Sequence, residues 1–391
     1  MKDRVALKAI AAKFGTPVYV YDRATLRKQC ETLTRRFPGF EIHYAMKANS
    51  NPSILREIRT AGLGVEAVSE GELAMARQVG FPRNRISFTC SNATEEELRA
   101  ASLEAGRVHL DSLHQVEMWG KGKMGPTISL RLNQGIGAGH HAHVITGGPD
   151  SKFGIALTDL PEALSLAIRY GLTVTGIQQH VGSNVLDHTL LIKAAKKLLA
   201  TAETLPDVTH VDFGGGLGIA YRPRERALDV RTLGKELSAL VKEFNTKTGR
   251  EVSAALEPGR YIVAEAGTLL VTVTDKKSTS SHTFIGVNSG FNHLVRPAMY
   301  DSYHTIDNVS RTAGKPIEAT IAGNICESGD LFARARSMAA PQIGDILAIR
   351  TAGAYGFSMA SNYNLRRLPR EVFVTESGAK DVSFSPNEHA R

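Results

Sequence analysis

Residues 41–51, EIHYAMKANSN, set the pattern for the whole chain. Ile42, Tyr44 and Met46 alternate with their neighbours at the period of a β-strand, and the run ends on Lys47 ahead of the loop formers Asn49, Ser50 and Asn51. From this strand onward a strand-then-helix unit repeats eight times. The strands read IHYAMK (42–47), GVEAVS (64–69), ISFTCS (86–91), RVHLDS (107–112), TISLRLN (127–133), LTVTGIQQHV (172–181), THVDFGGG (209–216) and VSAALEPG (252–259). Helical patterns lie between them, at 70–79, 95–105, 160–170, 188–204 and 232–248. Strands alternating with helices imply a parallel sheet with right-handed crossovers, and eight units are the count of a closed (β/α)₈, TIM-like barrel. A doubly wound open sheet is the alternative.

Outside these units the pattern changes. After residue 267 the segments TLLVTVTD, HTFIGVN, EATIAG, DILAIRTA and REVFVTE are short, β-branched and not separated by long helices. The expected architecture is α/β plus all-β: a barrel over residues 24–268, then a β-sandwich or β-barrel domain over 269–391. The strand-like stretch 16–22, which contains PVYVY, has no partner in the barrel and is assigned to complete the β domain. A short amphipathic helix ending at Gly15 precedes it, and the polar tail GAKDVSFSPNEHAR is expected to fray.

Composition sets further bounds. Over 391 residues, 47 basic and 39 acidic side chains give a net charge of +8, but the positive residues are dispersed, which argues against nucleic acid as a partner. No apolar run approaches the length of a membrane span, and the first residues carry lysines inside their apolar stretch. Cys30, Cys90 and Cys326 are widely spaced with no CxxC pair, which suits a reducing compartment, so a cytoplasmic protein is expected.

The candidate chemistry sits at the strand ends. Strand one ends on Lys47, strand six on His180 and Ser183, strand seven on Gly214, Gly215 and Gly216, and strand eight on Glu257, Gly259 and Arg260. In a parallel barrel these C-terminal ends share one face, the face that carries function. Each residue also has an ordinary reading. Lys47 fits an exposed lysine, His180 a packed core histidine, the glycines a tight turn and Glu257 a cap. The loop fails the dinucleotide fingerprint, because Ile219 or Tyr221 falls on its last glycine position, but backbone amides there can hold one phosphate. An amine for an imine, a phosphate loop, a flat histidine and a carboxylate facing a ring nitrogen together describe a site for pyridoxal 5'-phosphate.

HYAMKAN (43–49), HVGS (180–183), DFGGGLG (212–218) and EPGR (257–260) resemble the fold-type III pyridoxal-phosphate decarboxylases, the family of ornithine, arginine and diaminopimelate decarboxylases. The resemblance spans about residues 16–374. RPAMYDSYH (296–304), CESGD (326–330) and GAYGFSMASNYN (353–364) look like the diaminopimelate branch. That resemblance implies decarboxylation of meso-2,6-diaminopimelate to L-lysine, the last step of lysine biosynthesis. It implies Lys47 as the cofactor lysine and His180, Ser183, Gly214, Gly215, Gly216, Glu257, Gly259, Arg260 and Tyr355 as cofactor contacts. Arg260, Arg296, Tyr300, Glu327 and Tyr355 would bind the amino-acid substrate, and Cys326 would donate a proton. Cys326 and Glu327 would come from a neighbouring subunit, which implies a homodimer with shared active sites. On composition alone Arg296 and Tyr300 fit surface residues, Cys326 a small hydrophobe and Glu327 a solvated acid.

The chain departs from the branch at Leu365 and Asn288, and it ends soon after its last strand. These departures keep open a related decarboxylase acting on another amino acid or conjugate, as in a siderophore or antibiotic pathway. Alanine racemase, a relative with a barrel and a β domain, is the second enzyme class, and a non-catalytic cofactor carrier the third. GHHAHVITGGPDSKFGI (139–155) holds three histidines in four residues but no carboxylate or cysteine at ligand spacing, so no metal is assigned. By resemblance this segment is a loop closing over the site.

Overall fold

The structure, a computed structural model, describes residues 3–137, 148, 151–311 and 313–384. The chain divides into two compact units. One comprises Gln29–Ala220 and Arg226–Tyr261; the other comprises Met1–Lys28, Tyr221–Glu225 and Ile262–Arg391. The divisions fall a few residues from the expected limits of 24–268 and 269–391, because the start of the helix Arg23–Arg36 and residues 221–225 cluster with the β unit.

Strand β1 (Val18–Asp22) belongs to the β unit. The next nine, β2 (Glu41–Ala45), β3 (Gly64–Ala67), β4 (Ile86–Thr89), β5 (Arg107–Leu110), β6 (Thr127–Asn133), β7 (Ile155–Ala156), β8 (Thr173–Gln178), β9 (His210–Asp212) and β10 (Ser253–Leu256), lie in the other. Eight of them run parallel in the order β5-β4-β3-β2-β10-β9-β8-β6, and a β5–β6 pairing closes the ring. The two-residue β7 pairs only with β6. The closed (β/α)₈ barrel is therefore present and the open sheet is excluded. Several strands stop a few residues earlier than the alternation suggests: β8 ends at Gln178, so His180 lies in the loop beyond it.

Local sequence explains these elements. β3 and β4 are buried at every position, as strands covered by helices on one face and closed around a core on the other must be. Helices start where a side chain can accept the first free amides: Ser69 from Glu72, Thr94 and Glu97 in a reciprocal capping box, and Asp229 from Arg231 and Thr232. Gly80 closes the helix Glu70–Val79 in the left-handed region, at φ 90°. One layer of the barrel is polar. His109, Ser129, Gly176, His210 and Ser253 share a register level, with His109 Nδ1 2.7 Å from Ser129 Oγ and His210 Nδ1 2.7 Å from Ser253 Oγ.

The β unit is a nine-stranded mixed sheet. It contains β11 (Gly267–Ser278), β12 (Thr283–Val287), β13 (Ile306–Asn308), β14 (Pro316–Ala322), β15 (Leu331–Ala339), β16 (Ile346–Ile349), β17 (Arg370–Thr375) and β18 (Gly378–Asp381), and β1 completes it. β1 lies between β11, to which it is antiparallel, and β17, to which it is parallel. Val18 and Val20 pack with Leu270, Ala348, Val372 and with Leu7, Ile10 and Ala11 of the helix Arg4–Phe14. The expectation for the tail fails here, and one long strand has no counterpart in the sequence reading. The tail is not frayed at its start, because residues 378–381 form β18 in a hairpin with β17. β15, sequence LFARARSMA, carries arginines and register shifts that hide its strand period. The segment 139–155, expected as a closing loop, lies mostly outside the described residues.

Leu270 stands opposite Val18 on one side and Ala348 on the other. Leu270→Ala should lower the stability of the β unit by about 2–5 kcal/mol. Chemical denaturation followed by intrinsic tyrosine fluorescence measures this; a cost well under 1 kcal/mol would contradict the central place of β1.

Candidate active site

β2 ends at Ala45, and Met46–Ala48 makes a single 3₁₀ turn fixed by the Asn49 amide donating to Met46 O and by Tyr44 Oη donating to Asn49 O. This turn projects Lys47 into a cavity of about 340 Å³ whose lining includes Glu66, Arg131, Gln178, His180 and Glu257. Lys47 Nζ donates to Glu66 Oε2 at 2.6 Å. Glu66 is buried at the end of β3, so the cation that faces the cavity is matched by a carboxylate that water does not reach. Burial and the charge of Glu66 push nearby Glu72 up to about 7.

His180 accepts the amide proton of Gly215 on Nδ1 at 3.1 Å, which leaves its proton on Nε2. Burial, then the charges of Lys47 and Arg131, push its pKa down to about 3. The ring is therefore neutral at physiological pH. Arg131 is itself paired with Asp111 at 2.9 Å and lies 4.7 Å from the Phe153 ring centre.

The glycine loop is required by close backbone approach. A Cβ on Gly214 would stand 2.0 Å from Gln179 O, and one on Gly215 would stand 2.2 Å from Glu257 O. The sequence reading expected these amides to face a phosphate. The Gly214 amide donates to Asp212 Oδ1 and the Gly215 amide to His180 Nδ1, and the Gly216 amide has no acceptor among the described residues. At the end of β10, Glu257 accepts from Gln178 Nε2 on Oε2 at 2.7 Å. Its Oε1 is buried without a partner. Burial, then the charges of Asp212 and Glu66, hold Glu257 well above the usual carboxylate range. Arg260 donates to Ser183 Oγ at 2.9 Å, and Gly259 lies close against Ala45 and Ala48.

The remaining candidates lie in the β unit. Arg296 is 1% exposed, donates to Tyr221 Oη and Ser302 Oγ, and stacks 4.7 Å from the Tyr221 ring centre. It is not the surface residue that composition alone allows. Tyr300 closes the short helix Arg296–Tyr300 and is half-buried. Cys326 and Glu327 are exposed, not buried, on the loop before β15, where the Cys326 amide donates to Asn364 Oδ1. Asp330 anchors that loop by accepting the Ile325 and Phe291 amides. Tyr355 is half-buried with φ 55°.

Sequence reasoning missed Glu66, Arg131, Gln178, Asp212 and Tyr221. The available signal was a charged residue inside an otherwise apolar strand, as in GVEA and SLRL.

A sequence profile described as "Pyridoxal-dependent decarboxylase, pyridoxal binding domain" matches residues 23–264. The chain belongs to the pyridoxal-dependent decarboxylases. Within that family it is 42% identical to the diaminopimelate decarboxylase of Methanothermobacter thermautotrophicus, covering 95% of this chain and 90% of that protein. It is 35% identical to the Aquifex aeolicus diaminopimelate decarboxylase, at 98% and 93% coverage. The crystal structure of Helicobacter pylori diaminopimelate decarboxylase complexed with L-lysine superposes with a TM-score of 0.90 at 28% identity, covering 98% of each chain. The cofactor of the family is pyridoxal 5'-phosphate, and the groups present fit it: an amine in a cavity, an unfilled buried carboxylate oxygen, a neutral ring and a loop amide with no acceptor among the described residues.

His180 gives a pH prediction. Its folded pKa of about 3 lies below the ordinary 6.5, so its contribution to stability is full above 6.5 and is lost as pH falls toward 3. His180→Asn should flatten that part of the stability-against-pH curve, measured by denaturation at stepped pH. Parallel curves for the two proteins would contradict the buried neutral ring.

Proposed function

We propose that this chain removes one carboxylate of meso-2,6-diaminopimelate as CO₂ and releases L-lysine, the last step of lysine biosynthesis. One observation carries the chemistry: Glu257 Oε1, buried and without a donor, in a cavity that a lysine also lines. The substrate assignment is supported by near-full-length relatives that bear the name diaminopimelate decarboxylase.

Pyridoxal phosphate, when bound, supplies an aldehyde for the substrate amine and a protonated ring that accepts the electrons left by CO₂. Lys47 Nζ is the amine that would hold the aldehyde carbon, and Glu66 is the base next to it. Glu257 would accept the ring N–H, and His180, held uncharged, would pack on the ring and add contact without competing charge. The Gly216 amide, with Gly214, Gly215, Ser183, Gly259, Arg260 and Tyr355, would form the rest of the cofactor's surroundings.

The substrate's far end is a second amino acid head. A guanidinium held rigidly by Tyr221 and Ser302, as Arg296 is, suits its carboxylate by charge-assisted bonds, with Arg260 and Tyr300 beside it in role and Glu327 for the ammonium. A plain diamine precursor offers nothing to those arginines. Cys326 is the proposed donor to the carbon that loses CO₂. The exposure of Cys326 and Glu327 on a loop supports a role for them in the site of a neighbouring subunit, and the working form is proposed to be a homodimer with two shared sites. The three free cysteines suit the cytoplasm, and among the described residues no helix is long and apolar enough to cross a membrane.

The departure at Asn288 has a local explanation: its side chain donates to Thr16 O and accepts the Thr272 amide, tying β11 to the segment before β1. Leu365 is 92% exposed with φ 54°.

Release of CO₂ from meso-diaminopimelate should exceed that from ornithine, lysine or arginine by about a hundred-fold or more in kcat/KM. Preference for a monocarboxylate diamino acid would overturn the substrate. In a second test, inactive Lys47→Ala and inactive Cys326→Ala proteins are mixed under subunit exchange. Shared sites predict recovery of about a quarter of the activity, and no recovery despite proven exchange would refute them.

A further inference from the structure

Glu257 belongs to a buried group whose other two members, Asp212 and His109, have no part in the reaction as described. An oxygen of Asp212, an oxygen of Glu257 and a ring nitrogen of His109 all lie within 4.8 Å of one another, and all three residues are buried. Hydrogen bonds satisfy them only in part. Asp212 Oδ1 takes the Gly214 amide and Glu257 Oε2 takes Gln178 Nε2, whereas Glu257 Oε1 and His109 Nε2 are buried without partners.

Two carboxylates this close, removed from water, do not both stay ionised unless a cation sits on them. The nearby cations are committed elsewhere: Lys47 to Glu66, Arg107 to Glu41 and Arg131 to Asp111. His109 stands 4.0 Å from Asp212 Oδ2, but burial holds it neutral. One proton therefore belongs to the pair. Asp212 faces His43 and Arg107, which favour its charge, along with Glu66, which opposes it. Glu257 faces the charges of Asp212 and Glu66, against the charge of Lys47 and the hydrogen bond from Gln178, after burial that already disfavours its charge. The proton falls on Glu257.

Building on the cofactor reading above, we propose that Asp212 is a positioning residue that keeps Glu257 loaded with the proton the cofactor's ring nitrogen requires. On docking, the O–H bond of Glu257 breaks and an N–H bond forms at the ring. Glu257 becomes the carboxylate that accepts this N–H, and no proton is drawn from solvent. The charge on Asp212 raises the proton affinity of the Glu257–ring hydrogen bond as a whole, so the shared proton persists to higher pH. The shifts agree in direction: Asp212 is pushed up to about 6 by burial, and Glu257 stands well above its ordinary range.

The test uses the full-length, cofactor-free chain and 4'-deoxypyridoxine 5'-phosphate, which has the ring and phosphate but no aldehyde, so Lys47 chemistry is silent. Infrared difference spectra of wild type should show a protonated-carboxyl band that disappears when the analogue docks and is missing in Glu257→Gln. With ring-¹⁵N analogue, the bound nitrogen should lose its proton at a pH lower by about one unit in Asp212→Asn than in wild type. Asparagine keeps the Oδ1 acceptor for the Gly214 amide, so a purely structural role predicts no such shift. Docking without a lost carboxyl band in wild type overturns the proposal even if the variant fails to fold, and so does an unmoved ¹⁵N titration in a folded Asp212→Asn. An analogue that does not dock at all would sink the cofactor reading as well, which separates the two failures.

Discussion

Closure of the parallel sheet, made by the β5–β6 pairing, is the constraint on which the site depends. Parallel strands joined by helices all deliver their C-terminal ends to one rim. The strand order then decides which ends are neighbours. β3, β2, β10, β9 and β8 are consecutive around the ring, and they carry Glu66, Lys47, Glu257, Asp212 with the glycine loop, and Gln178 with His180. Lys47 and Glu257 are far apart in sequence and become neighbours because the first and last barrel strands pair directly.

That rim concentrates groups that are unfavourable one at a time. A carboxylate with an empty buried oxygen, a histidine held neutral and glycines with no room for a side chain each reduce stability where they stand. The surrounding structure compensates through strands buried on both faces and helices capped at their first turns. The β unit shows the same logic around Arg296, whose guanidinium is fully buried yet held by a hydroxyl on each side and an aromatic face.

Most of the barrel was legible because period-two strands and period-3.6 helices follow one another at regular spacing. Its candidate residues were legible because they follow strand ends. What escaped notice had physical reasons. Glu66 and Arg131 sit within strands, where a charge reads as an interruption, not as a buried partner. β15 hides its alternation behind arginines and bulges, and β18 is polar because it lies at the sheet edge. The glycine loop is legible as a close backbone turn, but the acceptance of the Gly214 and Gly215 amides by Asp212 and His180 is a pairing that no local pattern encodes.

The position of β1 between β11 and β17 bears on how the chain is made. A ribosome releases Val18–Asp22 first, but its two pairing strands begin at Gly267 and Arg370. Every barrel strand lies between Glu41 and Leu256, so the ring can close while β1 still waits for both neighbours. The apolar stretch VYVY is thus exposed through most of synthesis, and this segment, not the barrel, is where a nascent chain would most need a chaperone.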